Sequence, residues 1–549
     1  MKKPTDTKKY RRHLKQLESD FETWKAQWQE IAEYILPYSA KYLSDASSKS
    51  KDGKKKTYKI INGTAYKALT TLSSGMQGGM TSPSRPWFSL GLKREELMEI
   101  GPVRLWLRAV RDLMLNVFSK SNFYGAVHTL YGDLGAFGTA VMLIEEDFDT
   151  VIRCRPYAAG EYYLSINEKY IPDTVYRCFE MSAKQLELKF GEEKLSNSVK
   201  SALKNKQYED LFEIIHCITP NRDRSEEDEN EYLSLYFEKS TGLTDTFLRI
   251  SGYRTKPFAA PRWEVKGTDT YGISPCMQAV SDVKMLQVME EKKLKALGKM
   301  VDPPMNAPAS MKGKGTIIAG GVNYVDIAQG NQGMAPVYQV NPNLQNIAYE
   351  IDRVESRIRN YLFNNLFLAI LDQNKNMTAT EVNQRTQEKL LVLGSVVDRT
   401  GTEMLDVIID RTFDIMSRFD LIPPPPPEIQ GEDISITYIS MLAQAQKITG
   451  VTAIEQTAAF VGNMAAANPE VLDKFNFDQS VDEYAKAVGG PPSLIRPDDE
   501  VEVIREMRAK QQQQLQQQEM MANAAQGAKT LSEANIGENN ALEVLTGRA

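Results

Sequence analysis

The side chains able to do chemistry are few and scattered. The chain contains three histidines, His13, His128 and His216, and four cysteines, Cys154, Cys178, Cys217 and Cys276. None of them stand together at metal-ligand spacing, and the sequence has neither an HExxH helix signature nor a G-x-S-x-G nucleophile elbow. The cysteines therefore read as reduced core thiols and the histidines as structural residues. Glu145, Glu146 and Asp147 are chemically capable of holding a metal for phosphodiester cleavage, but adjacent residues at the end of a strand point in alternating directions. A solvated turn is the simpler expectation. A phosphate-binding loop needs G-x-x-x-x-G-K-[ST]; the nearest string, Lys312 to Thr316, has Pro308 where the first glycine should stand. No catalytic centre, metal or cofactor is expected, and a packaging ATPase or nuclease is disfavoured.

The 549 residues are 42% hydrophobic and 25% charged, enough for a sizeable core in a few domains. A formal net charge of −6 argues against a protein that wraps nucleic acid tightly, because such proteins carry an excess of cations. Contact with DNA, if made, should be loose. The charged start lacks the apolar stretch of a signal peptide, and no apolar run is long enough to span a bilayer, so assembly in a cytoplasm without membrane insertion is expected.

The elements that would frame any site follow from periodicity. Phe21, Trp24 and Trp28, then Ile31 and Ile35, repeat at helical spacing and predict an opening helix from Tyr10 to about Tyr38. The lysine- and serine-rich stretch from Ser44 to Lys56 reads as a solvated loop. Helices are expected at Ala65–Leu72 and Val103–Phe118, with the glycines and prolines of GMQGGMTSPSRPWFSL making a tight turn between them. The glycines from Gly125 to Gly138 predict a helix packed closely against a strand that ends near Ile144. Strands are expected at Tyr162–Leu164 and Thr174–Phe179, and Ile214–Ile218 with Tyr232–Phe237 should form a hairpin around an acidic loop. Beyond Tyr271 the pattern changes to long helices, Met277–Leu297 and a second starting at Leu344, bracketing a glycine-rich insert. Thr378 and Glu381 form a capping-box pattern for a further helix, and helical signal reaches Phe419. Pro423 to Pro427 lead into a strand at Ile434–Tyr438, and the part from about Ser440 is helical. Its glutamine-rich end is compatible with a helix, a barrel wall or disorder.

Several strings together resemble the head-to-tail connector (portal) protein family of podoviruses, from about Trp24 to Pro427. They are SPSRPWF at Ser82–Phe88, SNFY at Ser121–Tyr124, DLGAFGTA at Asp133–Ala140 and VYRCFEMSAKQL at Val175–Leu186. The likeness continues in PRWEVKGTDTYGISPCMQAVSDVKML at Pro261–Leu286, in VDPP at Val301–Pro304 and in MTATEVNQRTQE at Met377–Glu388. Trp87, Phe88, Trp263 and Tyr271 within them are expected to be core aromatics.

The resemblance implies a helix-rich α+β subunit in a closed ring, usually of twelve copies, around an axial channel for double-stranded DNA. Residues 1–270 would form the wing, 271–300 the first stem helix, 301–343 the clip, 344–368 the second stem helix and 369–440 a tunnel loop with long helices returning to the wing. Residues 441–510 would form a crown and 511–549 a glutamine-rich extension. The tunnel-loop candidate is Asp372, Gln373, Asn374, Lys375, Asn376 and Met377, with an ordinary solvent loop as the competing reading. Lys312 and Lys314 are the clip candidates for docking a terminase motor and later a tail adaptor or tail tube. Asp352, Arg353, Glu355, Arg357 and Arg359 are candidates for charge pairs between subunits of the stem. The implied partners also include the major capsid and scaffolding proteins. The rival readings are a terminase-like enzyme and another tail or internal virion protein.

Overall fold

A computed structural model describes residues 6–37, 59–94, 100–225, 228–239, 246–307, 343–371, 393–429, 434–438, 454–465, 468–488 and 498–533, with the short stretches 39, 42–43, 96–97, 312, 335–336 and 496. The chain divides into two compact units. Met1–Leu90, Ala109–Pro424 and Ile436–Thr449 form the first, and Gly91–Arg108, Pro425–Ser435 and Gly450–Ala549 form the second.

The helix α1, Lys8–Tyr34, buries Leu14, Leu17, Phe21, Trp28 and Ile31. Its aromatic stripe meets rings from distant parts of the chain: Trp28 lies edge-on to Phe21 at 5.0 Å and to Tyr271 at 5.7 Å, and packs on Phe137 at 5.2 Å. Such pairs add about 0.5–1.5 kcal/mol each beyond the area they bury.

The next helix, α2, runs Thr64–Met80. It passes through Gly75, Gly78 and Gly79, where a turn was expected. The reason is tertiary: a Cβ on Gly75 would stand 2.2 Å from the Phe367 ring, so the missing side chain serves a close helix contact rather than a bend. The strand β1, Phe88–Leu92, follows, then α3, Gly101–Lys120, and α4, Phe123–Phe137. Trp87 and Phe88 are fully buried, and Trp87 stacks on Phe123 at 6.0 Å, as core aromatics should.

The strands β2, Val141–Asp147, and β3, Val151–Tyr157, pair antiparallel, and the two-residue β9, Phe258–Ala259, lies on the other side of β2. Asn122 stands in for a strand at β3, donating to the Cys154 carbonyl at 2.7 Å and accepting from its N–H at 2.9 Å. That occupies backbone groups an edge strand would otherwise leave open.

The main sheet is antiparallel, in the order β4 (Tyr162–Ile166), β5 (Pro172–Ser182), β6 (Leu211–Pro220), β7 (Tyr232–Glu238) and β8 (Arg249–Tyr253). Alternate residues feed opposite faces. Ile214 and Tyr236 face α5, Ala183–Phe190, and α6, Asn197–Lys204, whereas Ile215, Cys217, Leu233 and Leu235 pack on Leu14 and Leu17 of α1. A capping box starts α5: Ser182 accepts from the Gln185 N–H, and the Gln185 side chain accepts from the Ser182 N–H.

His216 and Tyr236 are register partners on β6 and β7, with rings stacked 3.9 Å apart, and the His216 Nε2 meets the Ser234 hydroxyl at 2.9 Å. Burial, and then the cations Lys189, Arg177, Arg155 and Arg249, hold this imidazole well below its usual pKa. The folded state therefore keeps His216 neutral, while the unfolded chain takes up a proton below about pH 6.5. Stability supplied by this residue is present above that pH and falls as pH drops, by about 1.4 kcal/mol per pH unit for one proton. Urea denaturation between pH 7 and pH 5 should show the decline, and His216→Phe should lose that part of the slope.

The cysteines are free thiols; Cys154, Cys217 and Cys276 are buried and Cys178 is half-buried. No helix among the described residues is long and apolar enough to cross a membrane. In the second unit, a helix at 454–465 is followed by α12, Phe477–Val488, and α13, Asp498–Glu533. Tyr484 donates to Glu455 at 3.0 Å and Arg505 holds Asp478 with two bonds of 2.7 and 2.8 Å. The glutamine-rich stretch is thus helical as far as Glu533, and one helix crosses the expected boundary at residue 510.

Candidate functional site

The candidate site is built on two helices. The first, α7, runs Pro275–Val301. Ser274 caps it, accepting from the Met277 N–H at 2.9 Å, and its hydroxyl donates to the Ala136 carbonyl at 2.6 Å; Pro275 occupies the first helical turn, where its missing N–H costs nothing. Pro303 and Pro304 follow its end. The second, α8, runs Leu344–Tyr361, is capped by Asn343 and buries Ile351, Val354 and Ile358. Between them, β10 (Met305–Asn306) pairs with β11 (Ala335–Pro336). A partly β-structured insert was expected there, and this short ladder is its β-structure among the described residues.

Arg357 of α8 reaches Asp282 of α7 at 3.1 Å. A polar clamp binds both helices to the start of α2. The buried Gln287 accepts from the N–H groups of Ile61 and Asn62 at 2.7 and 2.8 Å and donates to the Asn62 carbonyl at 2.9 Å. The Asn62 amide in turn donates to Glu355 at 2.8 Å and Glu290 at 3.2 Å. Sequence reading passed over this clamp. Its one signal was a glutamine on the apolar stripe of α7, next to Leu286 and Val283.

Of the charged residues singled out on α8, Arg353 pairs with Glu350 at 3.0 Å and Arg359 with Glu355 at 2.6 Å, both along the helix, and Arg357 pairs across to α7. These are partners within one chain. Asp352 is exposed. Lys312 is exposed in a turn; Lys314 and the whole of 372–377 lie outside the described residues, as do Thr378 and Glu381.

The expected helix 344–368 is interrupted. Phe363 adopts φ 55°, and a separate helix α9, Asn364–Leu371, begins after it. A bulky residue in the left-handed region is held there by packing: the Phe363 ring lies 5.9 Å from Trp263, and Phe367 one turn later fills the notch at Gly75.

Beyond it, α10 (Gly394–Thr400), a π-helical turn (Gly401–Leu405) and α11 (Asp406–Arg418) follow without a break. The π turn carries Glu403, which is buried against Arg262. Arg262 donates from Nη2 to Glu403 Oε1 at 2.5 Å and from its backbone N–H to Oε2 at 3.0 Å, and also reaches the Tyr170 and Asp269 carbonyls. The fully buried Arg411, with Arg418, binds Glu146 at 3.0 and 2.7 Å and Asp414 at 3.1 and 3.2 Å. Burial raises the Glu146 pKa, but the two guanidiniums outweigh it and hold the carboxyl below its usual range. Glu145 pairs with Arg155 at 3.0 Å, and Asp147 accepts from the Thr150 hydroxyl at 2.6 Å. The expected solvated turn is therefore a strand end whose carboxylates are ion-paired or tied into the following turn. No cluster of metal-ligating residues occurs among the described residues.

What this arrangement offers is mechanical: a braced helix pair ending in an insert, a buried ionic tie at Arg262–Glu403 and a part-buried one around Arg411. The sequence model for bacteriophage head to tail connecting proteins matches residues 7–495. The chain belongs to that family. Among the curated relatives of this chain is the portal protein of Salmonella phage epsilon15, 40% identical over 552 positions, which cover 99% of each chain. The probable portal protein of Bordetella phage BPP-1 is 38% identical over 537 positions, covering 97% of this chain and 96% of the relative.

Proposed function

We propose that this chain is the portal subunit of a short-tailed bacteriophage. Copies form a ring, of about twelve on the family pattern, at one capsid vertex, through which a terminase drives double-stranded DNA inward and through which it later leaves. The observation that carries the reading is likeness over nearly the full length to phage proteins named as portals. The role is structural, with no bond made or broken by this chain.

In this reading α7 and α8 are the stem, residues 301–343 the clip that meets the terminase and then a tail adaptor, and 372–377 the tunnel loop. Residues 1–270 are the wing, 441–510 the crown and 511–549 its glutamine-rich extension; the helicity of α13 favours an ordered extension as far as Glu533. The ring also contacts the major capsid and scaffolding proteins. The physics of passage favours weak walls. Each phosphate neutralised by a wall cation strengthens binding in a salt-dependent way and would hold a genome that must slide. A chain of net charge −6 suits that need, with Lys375 supplying one cation per copy as a sequence-independent collar.

Negative-stain microscopy of the purified chain should show closed rings, and antibody labelling should find it at the tail-bearing vertex. A chain that stays monomeric and is absent from that vertex overturns the proposal. Deleting Asn374 to Met377 should leave rings intact and lower DNA packaging or retention; a normal yield of filled particles would overturn the tunnel-loop assignment.

A further inference from the structure

The far half of the α7–α8 pair is left exposed in the single chain. From Glu291 to Val301 no residue of α7 is buried, and α8 buries nothing before Ile351. On α7 the buried stripe is Cys276, Ala279, Val283, Leu286 and Gln287; Met285, Val288 and Lys292 fall within about 60° of one another on the opposite side. Met285 and Val288 are 39% and 47% exposed, and Lys292 is exposed. On α8, Tyr349, Asp352 and Ser356 have the same spacing and lie opposite Ile351, Val354 and Ile358; Tyr349 is 63% exposed.

The two stripes are complementary in charge. Residues 290–299 of α7 carry four lysines against two glutamates, whereas residues 349–356 of α8, the span of its stripe, carry Glu350, Asp352 and Glu355 against Arg353. They also match in height. Glu290 and Glu355 reach the same Asn62 amide, so they lie level across the antiparallel pair. Lys292, two residues beyond Glu290, and Asp352, three residues before Glu355, therefore lie within about a turn of each other along the axis. Rotation about an axis along the pair leaves height unchanged.

Resting on the portal reading, we propose that the Met285–Val288–Lys292 stripe of α7 docks on the Tyr349–Asp352–Ser356 stripe of α8 in a second copy of this chain, with Lys292 paired to Asp352. Two α7 stripes facing each other would set lysine against lysine. The contact therefore joins different faces of the two copies, the kind that closes into a ring when its rotation allows. The aliphatic and aromatic residues supply burial, and the charges select the partner face.

The test uses the full chain and reads assembly by sedimentation velocity and native mass spectrometry. Lys292→Glu and Asp352→Lys should each raise the concentration for half-assembly by about tenfold or more, because each sets like charges together, and the double exchange should restore it. Thermal melts of the dissociated chain, taken below the assembly concentration, should match the wild type, since both side chains are exposed in the single chain. As a second arm, the Lys292→Cys, Asp352→Cys double variant oxidised with diamide should give a ladder of covalent multimers that neither single variant gives. Single charge variants that assemble like the wild type, a double exchange no better than its parents, or no ladder would overturn the docking face while wild-type rings leave the portal reading standing. A wild-type chain that never assembles would overturn both.

Discussion

Glu403→Ala should destabilise the first unit by about 3–5 kcal/mol, the typical cost of removing one partner from a buried ion pair. The side chains of Arg262 and Glu403 are 4% and 7% exposed, so neither has water to fall back on. The loss would leave the Arg262 guanidinium with only the Tyr170 and Asp269 carbonyls and its backbone N–H without the Glu403 oxygen. A buried cation without a counter-charge is the expensive outcome; a pair of matched apolar replacements would cost far less. Glu403→Gln keeps an acceptor and should fall between the two. Urea denaturation of the three proteins, followed by tryptophan fluorescence, measures the series, and a loss below about 1 kcal/mol for Glu403→Ala would show that the pair contributes little.

Gly138→Ala should be at least as damaging, for a steric reason. Gly138 ends α4 at φ 74°, a conformation that costs an L-residue about 1–2 kcal/mol, and the added Cβ would stand 2.2 Å from the Gly272 carbonyl oxygen. The opposing atoms are backbone, so no rotamer change relieves them. The junction is also tightly bonded: Trp263 donates its N–H to the Gly138 carbonyl at 2.8 Å, and the Gly272 N–H donates to the Thr139 hydroxyl oxygen at 2.8 Å. Against a total stability of about 5–15 kcal/mol, strain and clash together should cut soluble yield sharply. Gly191→Ala is the clash-free control: φ 80° with ψ 149° is a backbone region open almost only to glycine, but nothing lies within 4 Å of the new Cβ, so only backbone strain of about 1–3 kcal/mol should appear. Equal melting temperatures for the two variants would refute the clash.

Gly138 and Gly272 also explain why two of the strings that carry the family likeness read as they do. DLGAFGTA and GTDTYGISP are separate in sequence and meet at one point in space, each glycine leaving room for the other's carbonyl. Their resemblance was visible from the residues; their reciprocity was not.

Much of the secondary structure was legible because its causes are local. The stripe of α1, the β6–β7 hairpin and the strand at Ile434–Tyr438 each depend on residues close together in the chain. So does the absence of a phosphate-loop or nucleophile-elbow string, which is a statement about spacing alone. The errors fell where a distant group decided the outcome. Gly75 looked like a turn former, but Phe367 needed the space, and α2 continued to Met80. The helix starting at Leu344 looked continuous, but Trp263 and the Gly75 notch hold Phe363 in a left-handed conformation that ends it.

The sequence by itself determined the helical and strand periods, the lack of known catalytic strings and the membership of a phage head-to-tail connecting family. Only the tertiary structure decided that Arg262 meets Glu403 across 141 residues, that Arg411 meets Glu146 across 265, and that Gln287 clamps the start of α2. The physical reason is range. Periodicity and capping act within a turn or two of the chain, whereas a buried charge or a missing Cβ has meaning only beside the group that the fold brings to it.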